Sequence, residues 1–459
     1  MLIMNRACFT NASLHENNHM RAASDLFKTN YFRMKIINYL KNSKIAILVI
    51  FIVIAALCGF VANIYTDKEE LILPKGFSAV VVAESLGQGR HLAVNTNGDI
   101  YVSLQRSKNG GGIVALRDTD KDGKADIIEY FGKFTGTGIG IYNGYLYFGS
   151  DTMVVKYKLR PGELLPSANY EIVAKGFKVN REHGAKSFTF DNEGNLYVNV
   201  GAPSNACQFP DRTYHTPGDD PCPLMKEFAG IWKFKADRNN QNQFTDAVRF
   251  ATGLRNCVAL RWNPVEKKLY AVQHGRDQLH EFWPENYTEE DGVNLPAEEF
   301  FQIKDGANYG WPYCYYDDKQ DKKFLAPEYG GNGKKTDRCA DKEQPIMAFP
   351  AHYAPNDLIF YTGNQFPQQY KDGAFIAFHG SWNRAPDEQK GYNVVFVPFK
   401  GDKPSGKWEV FADGFAGVPK IKSPRDAKHR PCGLAQGPDG SLYIVEDNKG
   451  KLWKVSYKN

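Results

Sequence analysis

Apolar and polar positions along this chain alternate in short runs, and one arrangement of runs recurs. Leu92-Ala93-Val94 is followed by Asn97-Gly98 and then by Ile100-Tyr101-Val102. Ile139-Gly140-Ile141 leads through Asn143-Gly144 to Leu146-Tyr147-Phe148, and Phe188-Thr189-Phe190 leads through Glu193-Gly194 to Leu196-Tyr197-Val198. Leu260-Arg261-Trp262 reaches Leu269-Tyr270-Ala271-Val272 through a turn without glycine. A weaker copy has Asp372-Gly373 before Phe375-Ile376-Ala377-Phe378, and the last has Pro438-Asp439-Gly440 before Leu442-Tyr443-Ile444-Val445. Alternation at period two is the mark of a half-buried strand, and the turn residues supply the backbone freedom that a tight reversal needs. Hairpins repeated at intervals of roughly 50 residues or more predict a β-propeller with one antiparallel blade per copy. The copies predict an all-β fold of six blades, with a β-sandwich of similar hairpins as the alternative. No long stretch keeps a helical period, so helix outside the N-terminal segment is expected below about 10%, against the usual third.

Composition agrees with an all-β body: aromatic residues make up 14% of the chain and there are 42 glycines. The formal charge of +5 is concentrated at the N-terminus. Seven of the 57 Lys/Arg and two of the 52 acids fall in residues 1–66, which leaves 50 of each in the remainder. A neutral globular part gives no electrostatic reason to expect a nucleic-acid partner. The N-terminal positive charge precedes an apolar run from Ile45 to Ile64, and Asp67, Glu69 and Glu70 follow it. A run of this length is long enough to cross a bilayer as a helix. The charge order places the N-terminus inside and the propeller outside. No good small-x-small cleavage site follows, so residues 44–65 are expected to act as an uncleaved membrane anchor or signal segment. Residues 1–43 then read as a cytoplasmic tail or an early translation start, and residues 70–459 as a propeller facing the periplasm.

Beyond the anchor lie six cysteines, an even number that fits an oxidising compartment. Cys207 with Cys222 and Cys314 with Cys339 each close a loop rich in Gly, Pro and Asp, and these are the expected disulfides. Cys257 and Cys432 each follow an arginine motif and read either as a third pair or, in preference, as small buried fillers.

Two constellations carry chemistry. Asp118-Thr119-Asp120-Lys121-Asp122-Gly123-Lys124-Ala125-Asp126-Ile127-Ile128-Glu129 follows the twelve-residue calcium loop. Acids stand at positions 1, 3, 5, 9 and 12, Gly123 at 6, and Lys124 at the position that lends a backbone carbonyl. Strand-like flanks predict a structural ion in a hairpin loop rather than a sensor. The second set consists of residues just before strands: Arg90-His91, His183, Arg255-Asn256, Arg430, and His379 to Arg384 after the strand Phe375–Phe378. In a propeller such positions converge on one end of the central channel. A single arginine there is more often a blade-to-blade salt bridge; several, with a histidine, suggest a flat, multiply anionic ligand, because guanidinium pairs carboxylates bidentately.

The motifs Gly253-Leu254-Arg255-Asn256, His274-Gly275-Arg276-Asp277-Gln278-Leu279, Asn308-Tyr309-Gly310-Trp311-Pro312, His379-Gly380-Ser381-Trp382-Asn383-Arg384 and Arg430-Pro431-Cys432-Gly433-Leu434 carry a family likeness. From about Leu73 to Lys458 the chain resembles the soluble quinoprotein sugar dehydrogenases, and more closely their sorbosone-dehydrogenase-like branch. The resemblance implies a six-bladed propeller that oxidises a sugar-like alcohol or aldehyde with pyrroloquinoline quinone (PQQ) and Ca²⁺, passing electrons to a quinone or cytochrome. It implies that His183 is the general base, a task suited to neutral imidazole, and that Arg255 and Asn256 contact the quinone oxygens. Arg384 and Arg430, with Arg90 grouped beside them, would pair the cofactor carboxylates. The backbone carbonyls of Gly275 and Arg276 would hold its calcium.

The chain also departs from the family pattern. Ala202 stands where the glucose-oxidising branch has an aspartate that orients the histidine. The glutamine of that branch has no counterpart near Thr135–Gly138, and Val258 and Ala259 replace its Pro-Gln-Gly. These departures predict a less firmly oriented histidine and low activity toward simple aldoses. Two rival readings are a non-catalytic propeller that binds a glycan or protein partner, and a lactonase-type hydrolase. The latter needs a metal held by carboxylates, where this set is rich in arginine.

Overall fold

Six antiparallel sheets surround a central channel in the computed structural model, which describes residues 71–458. Blade 1 comprises Gly89–Val94, Ile100–Lys108, Gly111–Arg117 and Ile127–Phe131. Blade 2 runs from Gly136–Tyr142 to Tyr170–Lys175, and blade 3 from Phe188–Phe190 to Val248–Thr252. Blade 4 runs from Ala259–Asn263 to Met347–Phe349, and blade 5 from Pro355–Phe360 to Glu409–Ala412. Blade 6 has Pro431–Gln436 innermost, then Leu442–Glu446 and Leu452–Tyr457, and takes its outer strand, Phe77–Ala83, from the start of the described chain. Phe77 lies opposite Tyr457, so backbone hydrogen bonds between the two ends close the ring. The six innermost strands pack side by side in a closed circle, from blade 1 round to blade 6 and back. All six copies of the hairpin pattern are therefore the two inner strands of a blade.

The turns obey local chemistry. Gly98, Gly194 and Gly440 take φ of +94°, +79° and +83°. In blade 4, where the turn has no glycine, Lys267 adopts +52° in their place. Between blades the apolar faces interlock: Trp453, Leu434 and Leu442 of blade 6 pack with Phe375, Phe396 and Phe411 of blade 5. Each fully buried side chain of this kind contributes about 1.5–3 kcal/mol. Blade 6 approaches blade 1 so closely that a Cβ on Gly433 would lie 2.3 Å from the Arg90 carbonyl oxygen. A larger residue there would force the ring open.

Helix is scarce among the described residues. The α-helices are Leu279–Phe282 and Glu289–Asn294, both in the connection between the second and third strands of blade 4. Cys207–Cys222 and Cys314–Cys339 are disulfide-bonded as expected, and Cys257 and Cys432 are free and buried. Two disulfides fit an oxidising, extracytoplasmic compartment. No helix among the described residues is long and apolar enough to cross a membrane. The expected anchor at residues 44–65 lies outside the described residues.

Candidate active site

A cavity of about 220 Å³ opens where the innermost strands of blades 3, 4 and 5 begin. His183 enters it from the segment before Phe188, with a left-handed φ of +56°. Its Nδ1 lies 2.6 Å from the carbonyl oxygen of Ala202. A carbonyl can only accept, so Nδ1 carries the proton in the neutral ring and Nε2 keeps its lone pair. Burial, reinforced by the positive charge of Arg255, holds the His183 pKa well below its ordinary value. His183 also lies against the end of the strand Asn195–Val200: a Cβ on Gly201 would sit 2.7 Å from the His183 Cβ and 2.9 Å from its carbonyl oxygen. The expectation of a loosely oriented histidine is therefore corrected. The backbone of Ala202 supplies the acceptor that its side chain lacks.

Arg255 comes from the link between blades 3 and 4 and is only 3% exposed. Its guanidinium donates to Asp277 Oδ2 at 3.0 Å, to Asn205 Oδ1 at 3.1 Å and to the Gly275 carbonyl at 2.8 Å. Its backbone N–H donates to Gln273 Oε1 at 2.7 Å. Asp277 is the centre of the cluster, accepting also from Arg212 at 2.9 Å and from Asn383 at 2.9 Å. Burial alone would raise its pKa; Arg255 and Arg212 overcome that and hold the carboxyl far below the usual carboxylate range. Glu298 shows the opposite balance. It accepts from the backbone N–H of Gly275 at 2.7 Å and of Ala354 at 3.0 Å, yet no cation pairs with it, and burial pushes its pKa up to about 8. His274, donating from Nε2 to the Pro355 carbonyl at 2.7 Å, is lowered to about 4, chiefly by burial. The cavity thus presents a neutral histidine with a free acceptor nitrogen, beside two arginines that share Asp277, Arg212 lying also within 4 Å of Glu182 and Asp211.

Other candidates lie elsewhere. Asn256 is buried beside His183, where its Oδ1 accepts from Asn199 at 3.2 Å. Arg384 does not face the cavity. It donates to the carbonyls of Val293 and Ala351 at 2.9 and 3.0 Å and ties blade 5 to the blade 4 connection. Arg90 and Arg430 form a neighbouring cluster instead. Arg90 pairs with Asp447 at 2.8 Å, joining blades 1 and 6, and Arg430 donates to the carbonyls of His379 and Gly380 at 3.0 and 2.8 Å. In the structure these three arginines make blade-joining contacts, while Arg90 Nε and Arg384 Nε are buried without a partner. Gly275 and Arg276, whose backbone carbonyls are expected to hold calcium, lie beside the Arg255 cluster. The Gly275 carbonyl faces the Arg255 cation, and the Arg276 side chain forms a buried ion pair with Glu328.

In the blade 1 loop, carboxylate oxygens of Asp118, Asp120 and Asp126 lie within 4.8 Å of one another. Among the described residues this is the group of carboxylates that converges as a metal site would. Asp122 turns to the Lys124 N–H at 2.7 Å, and Glu129 lies on the strand Ile127–Phe131 opposite Ala115. The full twelve-residue ligand set, with Asp122, Lys124 and Glu129, is thus only partly gathered.

Sequence reasoning missed Asp277, Arg212, Glu298 and His352 as cavity residues, while Asn383 lay within the expected set His379 to Arg384. Asp277 stood inside a quoted motif, between Arg276 and Gln278, and its position at the end of a blade's second strand was the available signal. Arg212 lies in an irregular loop between Cys207 and Cys222, where no periodicity points inward.

Fold and cavity together define a six-bladed propeller with a histidine–arginine site at one channel mouth. The chain belongs to the TrAA12-like family, whose model matches residues 71–458. Its structural neighbours are sugar-dehydrogenase propellers. The holo PQQ domain of a pyranose dehydrogenase from Coprinopsis cinerea superposes with a TM-score of 0.68 at 19% identity, over 85% of this chain and 97% of that one. A calcium structure of a Trichoderma reesei Carbohydrate-Active Enzymes Family AA12 protein gives 0.69 at 18% identity, over 85% and 98%. The apo soluble aldose sugar dehydrogenase of Escherichia coli gives 0.52 at 18%, over 83% and 100%. Among curated relatives, an uncharacterised protein of Borreliella burgdorferi is 28% identical over 45% of this chain and 48% of its own length. A pyrroloquinoline quinone-dependent pyranose dehydrogenase of Coprinopsis cinerea is 29% identical over 36% of this chain and 25% of its own. The chain thus matches about half and a quarter of the lengths of these relatives.

Proposed function

We propose that this protein is an extracytoplasmic sugar oxidoreductase that uses PQQ, with His183 as the general base. The observation that carries the reading is the His183 ring, held through Nδ1 by the Ala202 carbonyl and left with an unprotonated Nε2 in an open cavity. Such a nitrogen accepts the proton of a sugar hydroxyl as the carbon beneath it is oxidised. Low pKa costs some basicity but keeps the ring unprotonated across the working range.

The residues present fit the cofactor class. Arg255 and Arg212 form a cationic wall suited to anionic and carbonyl oxygens. Two buried acceptor atoms without partners, Glu182 Oε2 and Asn383 Oδ1, face the same cavity and suit the donor hydroxyls of a sugar. PQQ, when bound, supplies a quinone that takes up the hydride. Arg255, pre-oriented by Asp277 and Asn205, stabilises negative charge developing on an oxygen at its edge without reorganising. Asp277 fixes both arginines and Asn383. Calcium is assigned to this activity from the family likeness, while the blade 1 loop supports a separate structural ion.

The hydrolase alternative needs several carboxylates free to hold a metal in the cavity; Asp277 is committed to Arg212, Arg255 and Asn383, and Glu298 to the backbone N–H groups of Gly275 and Ala354, which leaves Glu182 alone. The anchor at residues 44–65, a periplasmic location and a quinone or cytochrome acceptor complete the proposal. It is tested by titrating PQQ with Ca²⁺ into the purified chain, following absorbance and sugar-dependent dye reduction. Saturable binding with turnover is expected; no binding at micromolar PQQ overturns it.

A further inference from the structure

The segment that carries His183, from Phe177 to Ala185, lies outside any strand, so its backbone polar groups need partners other than a ladder. Burial along it inverts the usual pattern. Val179 is 78% exposed and Arg181 is exposed, while Asn180 between them is only 7% exposed. An amide taken out of water while its apolar neighbour stays in it calls for specific partners.

Both ends of the Asn180 amide have one. Oδ1 accepts from the backbone N–H of Glu182 at 3.0 Å, and Nδ2 donates to the Gly201 carbonyl at 3.2 Å. Glu182 immediately precedes His183. Gly201 immediately precedes Ala202, whose carbonyl accepts from His183 Nδ1. Asn180 therefore ties together the two stretches of chain that meet in that hydrogen bond, one residue away from it on each side. The planar Gly201–Ala202 peptide unit is held at its other edge as well, because the Ala202 N–H donates to the Arg255 carbonyl at 2.7 Å. On the loop side the turn folds back over Asn180: a Cβ on Gly184 would lie 3.0 Å from the Asn180 carbonyl oxygen. Beyond His183 the segment is tied separately, at the Gly184 carbonyl by Lys186 Nζ at 2.7 Å and at the Ala185 carbonyl by Asn199 Nδ2 at 3.3 Å.

The bridge needs a side chain that accepts at one end and donates at the other. Aspartate would turn an anionic oxygen toward the Gly201 carbonyl, and alanine would withdraw a partner from both backbone groups.

We infer that Asn180 is a positioning residue for His183: by bridging Glu182 and Gly201 it aligns the ring with its acceptor, so that the proton stays on Nδ1 and Nε2 is presented to the cavity. Its consequence for turnover rests on the general-base reading of His183; the alignment does not.

The test reads the tautomer directly. The full chain, without PQQ and with nitrogen-labelled histidine, is compared by long-range proton–nitrogen correlation spectra, which distinguish Nδ1–H from Nε2–H imidazole. The His183 signals are those missing from His183→Gln. The unmutated chain is expected to hold His183 as the Nδ1–H tautomer at neutral pH. Asn180→Asp, which keeps the shape and the Glu182 contact, and Asn180→Ala should each give a mixture of the two tautomers. Asn195→Ala, at the far end of the strand Asn195–Val200, removes another buried amide, bound to Asp191 and Lys235. It should lower the melting temperature and leave the His183 signals in place. With PQQ loaded, kcat in the Asn180 variants should fall about 10–100-fold with KM nearly unchanged, as misplacement of a base predicts. A mixed tautomer in the unmutated chain overturns the inference without any variant. Unchanged His183 signals in either folded Asn180 variant do the same, as does an equal change of those signals in Asn195→Ala. Absence of PQQ-dependent turnover removes the general-base reading and leaves the spectra to decide the alignment, so the two fail separately.

Discussion

Two clusters at the same end of the propeller contain nearly the same residues and do different things. One has His183, Arg255, Arg212 and Asp277; the other has His379, Arg90, Arg430 and Asp447. In the second, His379 Nε2 is 2.7 Å from Asp447, and Arg90 binds the same carboxylate across the blade 1–blade 6 seam. The side-chain hydrogen bonds of His379, Arg90 and Arg430 all reach a neighbouring blade. In the first, His183 is held by a backbone carbonyl through Nδ1 while Nε2 remains in the cavity. Residue type therefore does not separate a site from a seam; the direction of the last free nitrogen does.

The sharpest way to break this comparison is to remove each histidine. His183→Gln is expected to lower sugar-dependent turnover by about 10²–10⁴-fold, the usual contribution of a general base, with PQQ affinity retained. His379→Gln should lower the melting temperature and leave turnover per folded molecule nearly intact. Equal losses of turnover in both would erase the distinction.

The arginines offer a second contrast. Arg255→Ala leaves Asp277 with one buried partner fewer and should cost about 3 kcal/mol of stability, together with a marked loss of PQQ affinity. Arg90→Ala should cost about 2 kcal/mol at the less buried Asp447 pair and leave cofactor affinity unchanged. Denaturant unfolding and an absorbance titration on the same samples read both quantities.

Protonation sharpens the picture further. His183 and His274 are neutral in the folded chain below the pH at which they take up protons when unfolded. The unfolded state therefore binds more protons as pH falls through about 6.5, and stability must drop over that window down to about 4 for His274. Glu298 acts at the other end. Its raised pKa favours the folded state below the ordinary glutamate value, and that contribution is lost as pH rises through about 8. Melting temperature measured against pH should fall on both sides, and the alkaline fall should be absent in Glu298→Gln. Turnover should keep its acid limb below the ordinary histidine range; a limb at or above it would contradict the lowered His183 pKa.

Smaller effects are expected from packing and from the blade 1 loop. Gly201→Ala forces a Cβ toward His183 and should cost about 1–3 kcal/mol while reducing turnover more than PQQ binding. Asp120→Asn, at the converging carboxylates, should weaken calcium binding in that loop and leave the cavity untouched. Absence of a calcium-dependent rise in melting temperature in the unmutated chain would count against an ion there.

Much of the architecture was legible in the chain itself. Hairpin periodicity and turn residues are local properties, so the copies at Leu92, Ile139, Phe188, Leu260, Phe375 and Leu442 identified all six blades. The loop-closing cysteines identified both disulfides, and the pre-strand positions identified the end of the channel where His183 and Arg255 meet. Tertiary structure decided the rest. Arg90 and Arg430, like Arg255, stand at or just before the start of an innermost strand, and the packing of the folded blades determines whether a guanidinium reaches a seam or a cavity. The partners of Arg255 are 20 to 50 residues away in sequence, and that of Arg90 is 357 away. The carbonyl that orients His183 belongs to Ala202, whose side chain can form no hydrogen bond. A backbone acceptor is present at every residue, so sequence cannot mark which one is used; the fold does so by bringing it within 2.6 Å of one histidine.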